Sequence, residues 1–354
     1  MDFNRTPALV IWEVTQACGL SCVHCRAEAR PWRDAGELTT AEGLDLIDQV
    51  SDAGAPLLVL TGGDPMERPD LDAFVRRGVA RGLKVALSPS ATPKVTREAL
   101  SRLKDEGLHR VAVSLDSHWE KNHDAFRRVA GSYRRTLEIA RDARKLGLPL
   151  QIGTTISALN AADLEAMARL VGELGAVLWS VFFVVPTGRA GAALAIGAGE
   201  CEDVLNRLHA LSRSAPFAVK TTEAPHYRRI ASAANGRRTG SGVNDGKGFA
   251  FVSHRGDVFP SGFLPAKAGN VRERPLGEIY RDSPLFRSLR DASLLKGRCG
   301  ACEFRELCGG SRARAFALTG DPLAEDPLCA YEPEKNGGRN ESTSAGGRAL
   351  DAAA

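Results

Sequence analysis

A chain of 354 residues has room for one large domain and a small one. Its 43% apolar and 25% charged content is ordinary for a soluble globular protein, and a net charge of +4 is too mild to argue for nucleic acid. No apolar run reaches the roughly 18 residues of a membrane span, and Met-Asp-Phe-Asn-Arg-Thr-Pro at the start holds no signal segment, so the chain reads as cytoplasmic. In that compartment eight cysteines point to metal or catalysis rather than disulfides.

In chain order, the apolar run 9–14 reads as a strand leading into Cys18-Gly-Leu-Ser-Cys22-Val-His-Cys25. Residues 39–53 follow as a helix that starts on Thr39 or Thr40 and keeps apolar residues at helical spacing. Strands at 56–60, 84–87, 110–115, 150–156 and 179–185 alternate with helices at 71–81, 97–106, 133–146 and 162–174. Such alternation predicts an α/β fold with a parallel sheet, which binds ligands at the carboxyl ends of its strands. The composition changes after Arg189. Residues 190–199 read as a Gly/Ala-rich linker, and 233–248, Gly-rich and charged, as a mobile loop or lid. Residues 249–253 and 257–259, joined by His-Arg-Gly, read as a hairpin, and 334–354 as a disordered tail. There is no internal repeat.

Three thiolates on one loop can grip a soft metal or an iron–sulfur cluster. Three is the informative number, because a four-iron cubane then keeps one iron open, as a catalytic zinc keeps one position open. Cys299, Cys302, Cys308 and Cys329 form a second, closed set that suits structural zinc or a fully ligated cluster. Cys201 belongs to neither set; it reads as a buried small residue, with a hydrogen-atom donor as the alternative.

Polar motifs follow the strands. Thr61-Gly62-Gly63-Asp64-Pro65 comes after the second: its glycines allow close backbone approach, and Asp64 can accept from an ammonium group. Alone, it reads equally as a turn. Ser88 and Ser90 follow the third strand, and Ser114-Leu115-Asp116 ends the fourth. Arg127 suits a bidentate carboxylate contact, with Arg128 beside it leaving the assignment open.

The Cys-x3-Cys-x2-Cys loop after a first strand resembles the cluster loop of the radical SAM superfamily. Gly62-Gly63-Asp64-Pro65 is similar to the motif that holds the amino group of S-adenosylmethionine (SAM) there. The resemblance implies an incomplete (β/α)6 TIM-like barrel with a [4Fe–4S] cluster on Cys18, Cys22 and Cys25. SAM would bind the open iron and lie against Gly62, Gly63, Asp64, Pro65, Ser88, Ser114, Asp116 and Arg127. Its reductive cleavage would yield a 5′-deoxyadenosyl radical that takes a substrate hydrogen, an oxidoreductase or lyase chemistry. A flavodoxin- or ferredoxin-like protein would supply the electron.

The C-terminal cysteines, set in Cys308-Gly-Gly-Ser-Arg-Ala-Arg-Ala and Asp326-Pro-Leu-Cys329, resemble the small cysteine-rich SPASM domain, a carrier of auxiliary clusters. The fuller pattern has further cysteines where this chain has Ser261 and Ser311. The expectation is therefore one auxiliary [4Fe–4S] cluster and about eight irons per chain. The implied division is 1–195 for the radical SAM core, 196–248 for a linker and Gly-rich loop, 249–333 for the auxiliary-cluster domain and 334–354 for the tail. The C-terminal half is most similar to the alternative haem branch, which implies a tetrapyrrole substrate. Residues 281–314 hold eight Arg/Lys against four Asp/Glu, and guanidinium forks such as Arg312 and Arg314 would suit propionates, although a solvated basic face explains the excess equally well. Peptide maturation, oxidation or epimerisation of a small metabolite, and a non-catalytic iron–sulfur or zinc sensor are the alternatives.

Overall fold

The apolar runs become strands of one sheet in the computed structural model, which describes residues 1–234, 236 and 242–334. The predicted strands are β1 (Leu9–Glu13), β2 (Leu57–Thr61), β3 (Lys84–Leu87), β4 (Arg110–Ser114), β5 (Leu150–Ile156) and β6 (Leu178–Phe183). Four more follow: β7 (Ala218–Thr222), β8 (Phe249–Val252), β9 (Asp257–Phe259) and β10 (Gly269–Asn270). Their spatial order is β10-β9-β8-β1-β2-β3-β4-β5-β6-β7. Every pair from β8 across to β7 is parallel, and β9 and β10 add an antiparallel margin.

Alternation along each strand divides the sheet into two faces. Trp12, Leu58, Val85, Val113 and Trp179 lie on the outer face, each 2% exposed or less, beneath the helices. Gly43 on helix Thr40–Asp52 and Gly78 on helix Leu71–Ala80 let those helices come close, since a Cβ there would meet Trp12 and Val85 at 2.6 and 2.5 Å. Burying each such side chain contributes roughly 1.5–3 kcal/mol. Thr39 caps helix Thr40–Asp52 in a reciprocal capping box with Glu42. On the inner face, register places Ser114, Gly153, Ser180 and Lys220 side by side on β4 to β7.

The sequence reading stops at six parallel strands, and the structure adds β7 and β8. Helix Ala198–Ser212 begins inside the expected linker, and helix His226–Ala234 follows β7. Lys220, Thr221 and Thr222 deprive β7 of the apolar run that marks its neighbours. The hairpin at 249–259 forms as β8 and β9, but β8 also pairs in parallel with β1, so one sheet carries strands from three of the four expected stretches. The expected tail beyond residue 334, with 235 and 237–241 of the Gly-rich stretch, lies outside the described residues. No helix among the described residues is long and apolar enough to cross a membrane.

Candidate active site and auxiliary metal centre

Two loops at the carboxyl ends of β1 and β2 are zipped together by backbone. Gly63 N donates to Thr15 O at 2.8 Å and Asp64 N to Ala17 O at 2.6 Å. A Cβ on Gly63 would sit 2.3 Å from Ala17 O, so the contact admits glycine alone. The cysteine loop that follows is held by Cys18 N donating to Arg30 O at 2.7 Å and Val23 N to Phe126 O at 3.0 Å.

Each of the three sulfurs meets a donor. Leu20 N reaches Cys18 Sγ at 3.3 Å, Ala29 N reaches Cys25 Sγ at 3.5 Å, and Arg127 Nη1 reaches Cys22 Sγ at 3.7 Å. Ser90 Oγ lies 3.3 Å from Cys18 Sγ and donates to Gly63 O at 2.8 Å. Burial pushes the Cys18 thiol up to about 11, so it stays protonated until a cation takes the proton's place. Buried sulfurs that face N–H groups and a guanidinium fit an anionic iron–sulfur cluster.

Two residues expected at the cofactor also have partners within the chain. Asp64 is fully buried, and its carboxylate accepts from Thr92 Oγ1 at 2.6 Å, Met66 N at 3.2 Å and Ser90 N at 3.3 Å. It shapes the Gly-Gly-Asp-Pro loop from within. Arg127, expected to pair with a cofactor carboxylate, already donates through Nε to Asp116 Oδ2 at 2.8 Å, with Nη2 on the same oxygen. Asp116 in turn accepts from Thr155 N at 2.9 Å. Arg128 ends helix Glu120–Arg127 in the left-handed region at φ 56° and is exposed, so the inward arginine is Arg127. Ser88 and Ser114, at the ends of β3 and β4, remain part-exposed with no side-chain partner among the described residues. Gly62 and Pro65 flank the zipped loop, with Pro65 starting a 3-10 turn.

Sequence reasoning missed the mooring of the cysteine loop. Arg26 pairs with Glu13 at 2.8 Å, donates to Gly262 O at 3.2 Å and lies 4.5 Å over the Phe251 ring. Glu13 also meets His254 Nδ1 at 2.8 Å. Burial works to raise the Glu13 carboxyl, but Arg26 and His254 outweigh it and hold it below the usual carboxylate range. No spacing rule links residue 13 to residue 254; only the β1–β8 pairing does.

The four C-terminal cysteines line one small pocket, together with His226, Arg229 and Asp326. Among the described residues no three His, Cys, Asp or Glu side chains converge tightly enough to hold a single metal ion. Cys299 Sγ accepts from Asp326 N at 3.4 Å and Arg312 Nη2 at 3.6 Å. Burial tends to raise the Cys329 thiol, but His226 overrides it, and the thiol lies below its ordinary value.

Arg312 and Arg314 do not offer themselves to propionates. They are 1% and 2% exposed. Arg312 donates to Ala324 O at 2.6 Å and Pro322 O at 3.0 Å. Arg314 pairs with Asp326 at 3.0 Å and donates to Glu223 O at 2.6 Å. Their charge is consumed in joining the C-terminal segment to the barrel. Cys201 is 1% exposed in the main apolar core, as a buried small residue would be.

The two serines that stand where the fuller pattern has cysteines meet at one carboxyl group. Ser261 Oγ donates to Glu223 Oε1 at 3.1 Å, and Ser311 Oγ donates to Glu223 Oε2. Glu223 directly follows β7, is 7% exposed and adopts φ 58°.

A parallel sheet with three cysteines after its first strand, zipped to a Gly-Gly-Asp-Pro loop after its second, defines a cluster-dependent SAM enzyme. Residues 12–171 match the radical SAM superfamily. Over 346 residues the chain is 41% identical to the AdoMet-dependent heme synthase of Methanosarcina barkeri, covering 94% of this chain and 99% of that protein. It is 38% identical to the AdoMet-dependent heme synthase of Nitratidesulfovibrio vulgaris, covering 94% and 95%. Streptococcus suis SuiB bound to S-adenosylmethionine shares the fold, with a TM-score of 0.74 at 16% identity over 92% of this chain and 78% of that one. The chain belongs to the radical SAM superfamily and is an enzyme of that class, whose members use a [4Fe–4S] cluster and SAM.

Proposed function

We propose that this enzyme oxidatively decarboxylates propionate side chains of an iron tetrapyrrole, leaving vinyl groups, as a step of haem formation. The observation that carries the reading is the 41% identity to a heme synthase across nearly the full length of both chains. When bound at Cys18, Cys22 and Cys25, the cluster and SAM supply a 5′-deoxyadenosyl radical that takes one hydrogen atom from the propionate. Carbon dioxide then leaves, the double bond forms, and one electron must be removed. Ser88, Ser114 and the Gly62-Gly63 backbone face the cofactor; Asp64 holds the loop, and Asp116 fixes Arg127 against Cys22.

Cys299, Cys302, Cys308 and Cys329 would hold an auxiliary [4Fe–4S] cluster in this reading, and such a cluster would supply an acceptor for that electron. Four thiolates form the closed set that a fully ligated four-iron cluster requires, and structural zinc is the alternative. Residues 1–195 then serve SAM cleavage and 249–333 the auxiliary cluster, with an acidic flavodoxin- or ferredoxin-like reductant.

The test is anaerobic incubation of the reconstituted enzyme with reductant, SAM and iron-coproporphyrin III, following 5′-deoxyadenosine and porphyrin mass. Loss of carbon dioxide plus two hydrogens per propionate, matched by 5′-deoxyadenosine, is expected. Cleavage of SAM with an unchanged porphyrin would reject this substrate and turn the search to peptides and small metabolites.

A further inference from the structure

Barrel interiors are ordinarily filled by bulky branched side chains. Here Ser114, Gly153 and Ser180 lie side by side on three strands, with Ala86 beside Arg110 on the next pair. Side chains this small leave room on that level of the inner face, bounded by the Phe182 ring, which lies 3.6 Å from the Cβ position of Gly153. The position beside Ser180 is Lys220 of β7. Lys220 keeps solvent access, yet burial lowers its pKa, and the charges acting on it are the cations Arg228 and Arg110. Among the described residues it has no ion-pair or hydrogen-bond partner. Arg228 is committed to Leu307 O at 2.8 Å, whereas Arg110 Nε is buried with no partner.

The acids at the carboxyl ends of the strands cannot neutralise these cations. Glu13 is taken by Arg26 and His254, Asp116 by Arg127, and Glu223 by Ser261 and Ser311. Among the described residues, these two cations on the inner face thus have no counter-charge in contact with them. Lys220 is solvent-accessible within a surround dense enough to lower its pKa, so an incoming carboxylate would meet an unpaired ammonium group there. Strands β3 to β6 separate β7 from β1 and β2, whose loops carry the cluster cysteines and the Gly-Gly-Asp-Pro turn. A carboxylate at Lys220 is therefore a different one from that of SAM.

We propose that Lys220, with Arg110 beside it, anchors a carboxylate of the substrate and so holds a multi-carboxylate macrocycle against the inner face of the barrel. The proposal rests on the tetrapyrrole reading and deepens it. Lys220 lies three residues before Glu223, roughly 10 Å below the strand ends by the rise of an extended chain. One carboxylate held at that depth leaves another propionate free to face the cluster end.

The test is a titration of the SAM-loaded holoenzyme with iron-coproporphyrin III and with its tetramethyl ester, followed by absorbance. Wild type, Lys220→Met, Lys220→Arg and Arg110→Met are compared, with SAM binding measured in parallel. Lys220→Met should bind the free acid at least about tenfold more weakly, the order expected for losing one charge-assisted contact. Lys220→Arg should recover most of the affinity, while the ester and SAM bind all variants alike. Equal affinity of wild type and Lys220→Met for the acid would overturn the anchor and leave the tetrapyrrole reading standing. Failure of wild type to bind the porphyrin would overturn that reading and the anchor with it. Should Lys220→Met fail to fold, Arg110→Met and the acid-versus-ester ratio in wild type decide the same question.

Discussion

Glu223 concentrates three costs at one residue: a left-handed backbone, burial, and a neighbouring carboxylate in Asp245. Burial raises its pKa first and Asp245 raises it further, against the lowering by Ser311 and Arg314. The folded state therefore holds this proton where the unfolded chain has released it. Stability from Glu223 is complete below its ordinary value of 4.5 and is lost as pH rises toward the raised folded value. Glu223→Gln should flatten that loss, so its melting-temperature advantage over wild type should grow between about pH 5 and 8. An advantage independent of pH would count against the account. Arg127→Met leaves Asp116 buried without its cation and should cost about 3–5 kcal/mol in denaturant titrations. Cys201→Ser should keep full product formation, yet lose about 1–3 kcal/mol to an unpaired buried hydroxyl. At this scale the cysteine sets were legible because their ligation depends on spacing along the chain. Arg312 and Arg314 were not, since a guanidinium's exposure is decided by distant segments, here Val184, Glu223 and 322–326.

Among the elements, the loops after β1 and β2 act as one piece because backbone joins them. Gly63→Ala would push a methyl group into Ala17 O. Gly188, at φ 57°, is similarly tight, with Cys25 O 2.5 Å from its absent Cβ. Either alanine should cost a few kcal/mol and lower iron uptake at the N-terminal site, read as iron per chain after reconstitution, while leaving the C-terminal four cysteines loaded. Full uptake in Gly63→Ala would show that the two loops are independent. The strands β1 to β6 were readable from apolar runs between turn residues. Helix Glu120–Arg127 and β7 were not, since one is short and highly charged and the other lacks apolar contrast.

For the molecule as a whole, two cysteine sites predict about eight irons per chain by chemical analysis. Iron near four with one zinc would reassign the C-terminal cavity. Arg314, Asp326 and Glu223 form the seam between the barrel and the C-terminal segment, on the same side of the sheet as Arg26 with Gly262 O. The α/β class was readable from the alternation of elements. The continuity of the sheet from β7 to β10 was not, because pairing between residues 9 and 249 leaves no local mark.

The pairing of β1 with β8 also bears on the order in which the protein is made. Among the ten strands β1 is made before the others, and the partner on one of its sides is not synthesised until residue 252. For most of synthesis the nascent chain carries an open strand edge, and the cysteine loop beside it lacks His254, Phe251 and Gly262 as moorings. Iron delivery to that loop should therefore wait until residues 249–262 have been made and have folded back onto it. Nascent chains arrested before residue 249 should stay protease-sensitive and iron-free, while those extended past 262 acquire both protection and metal.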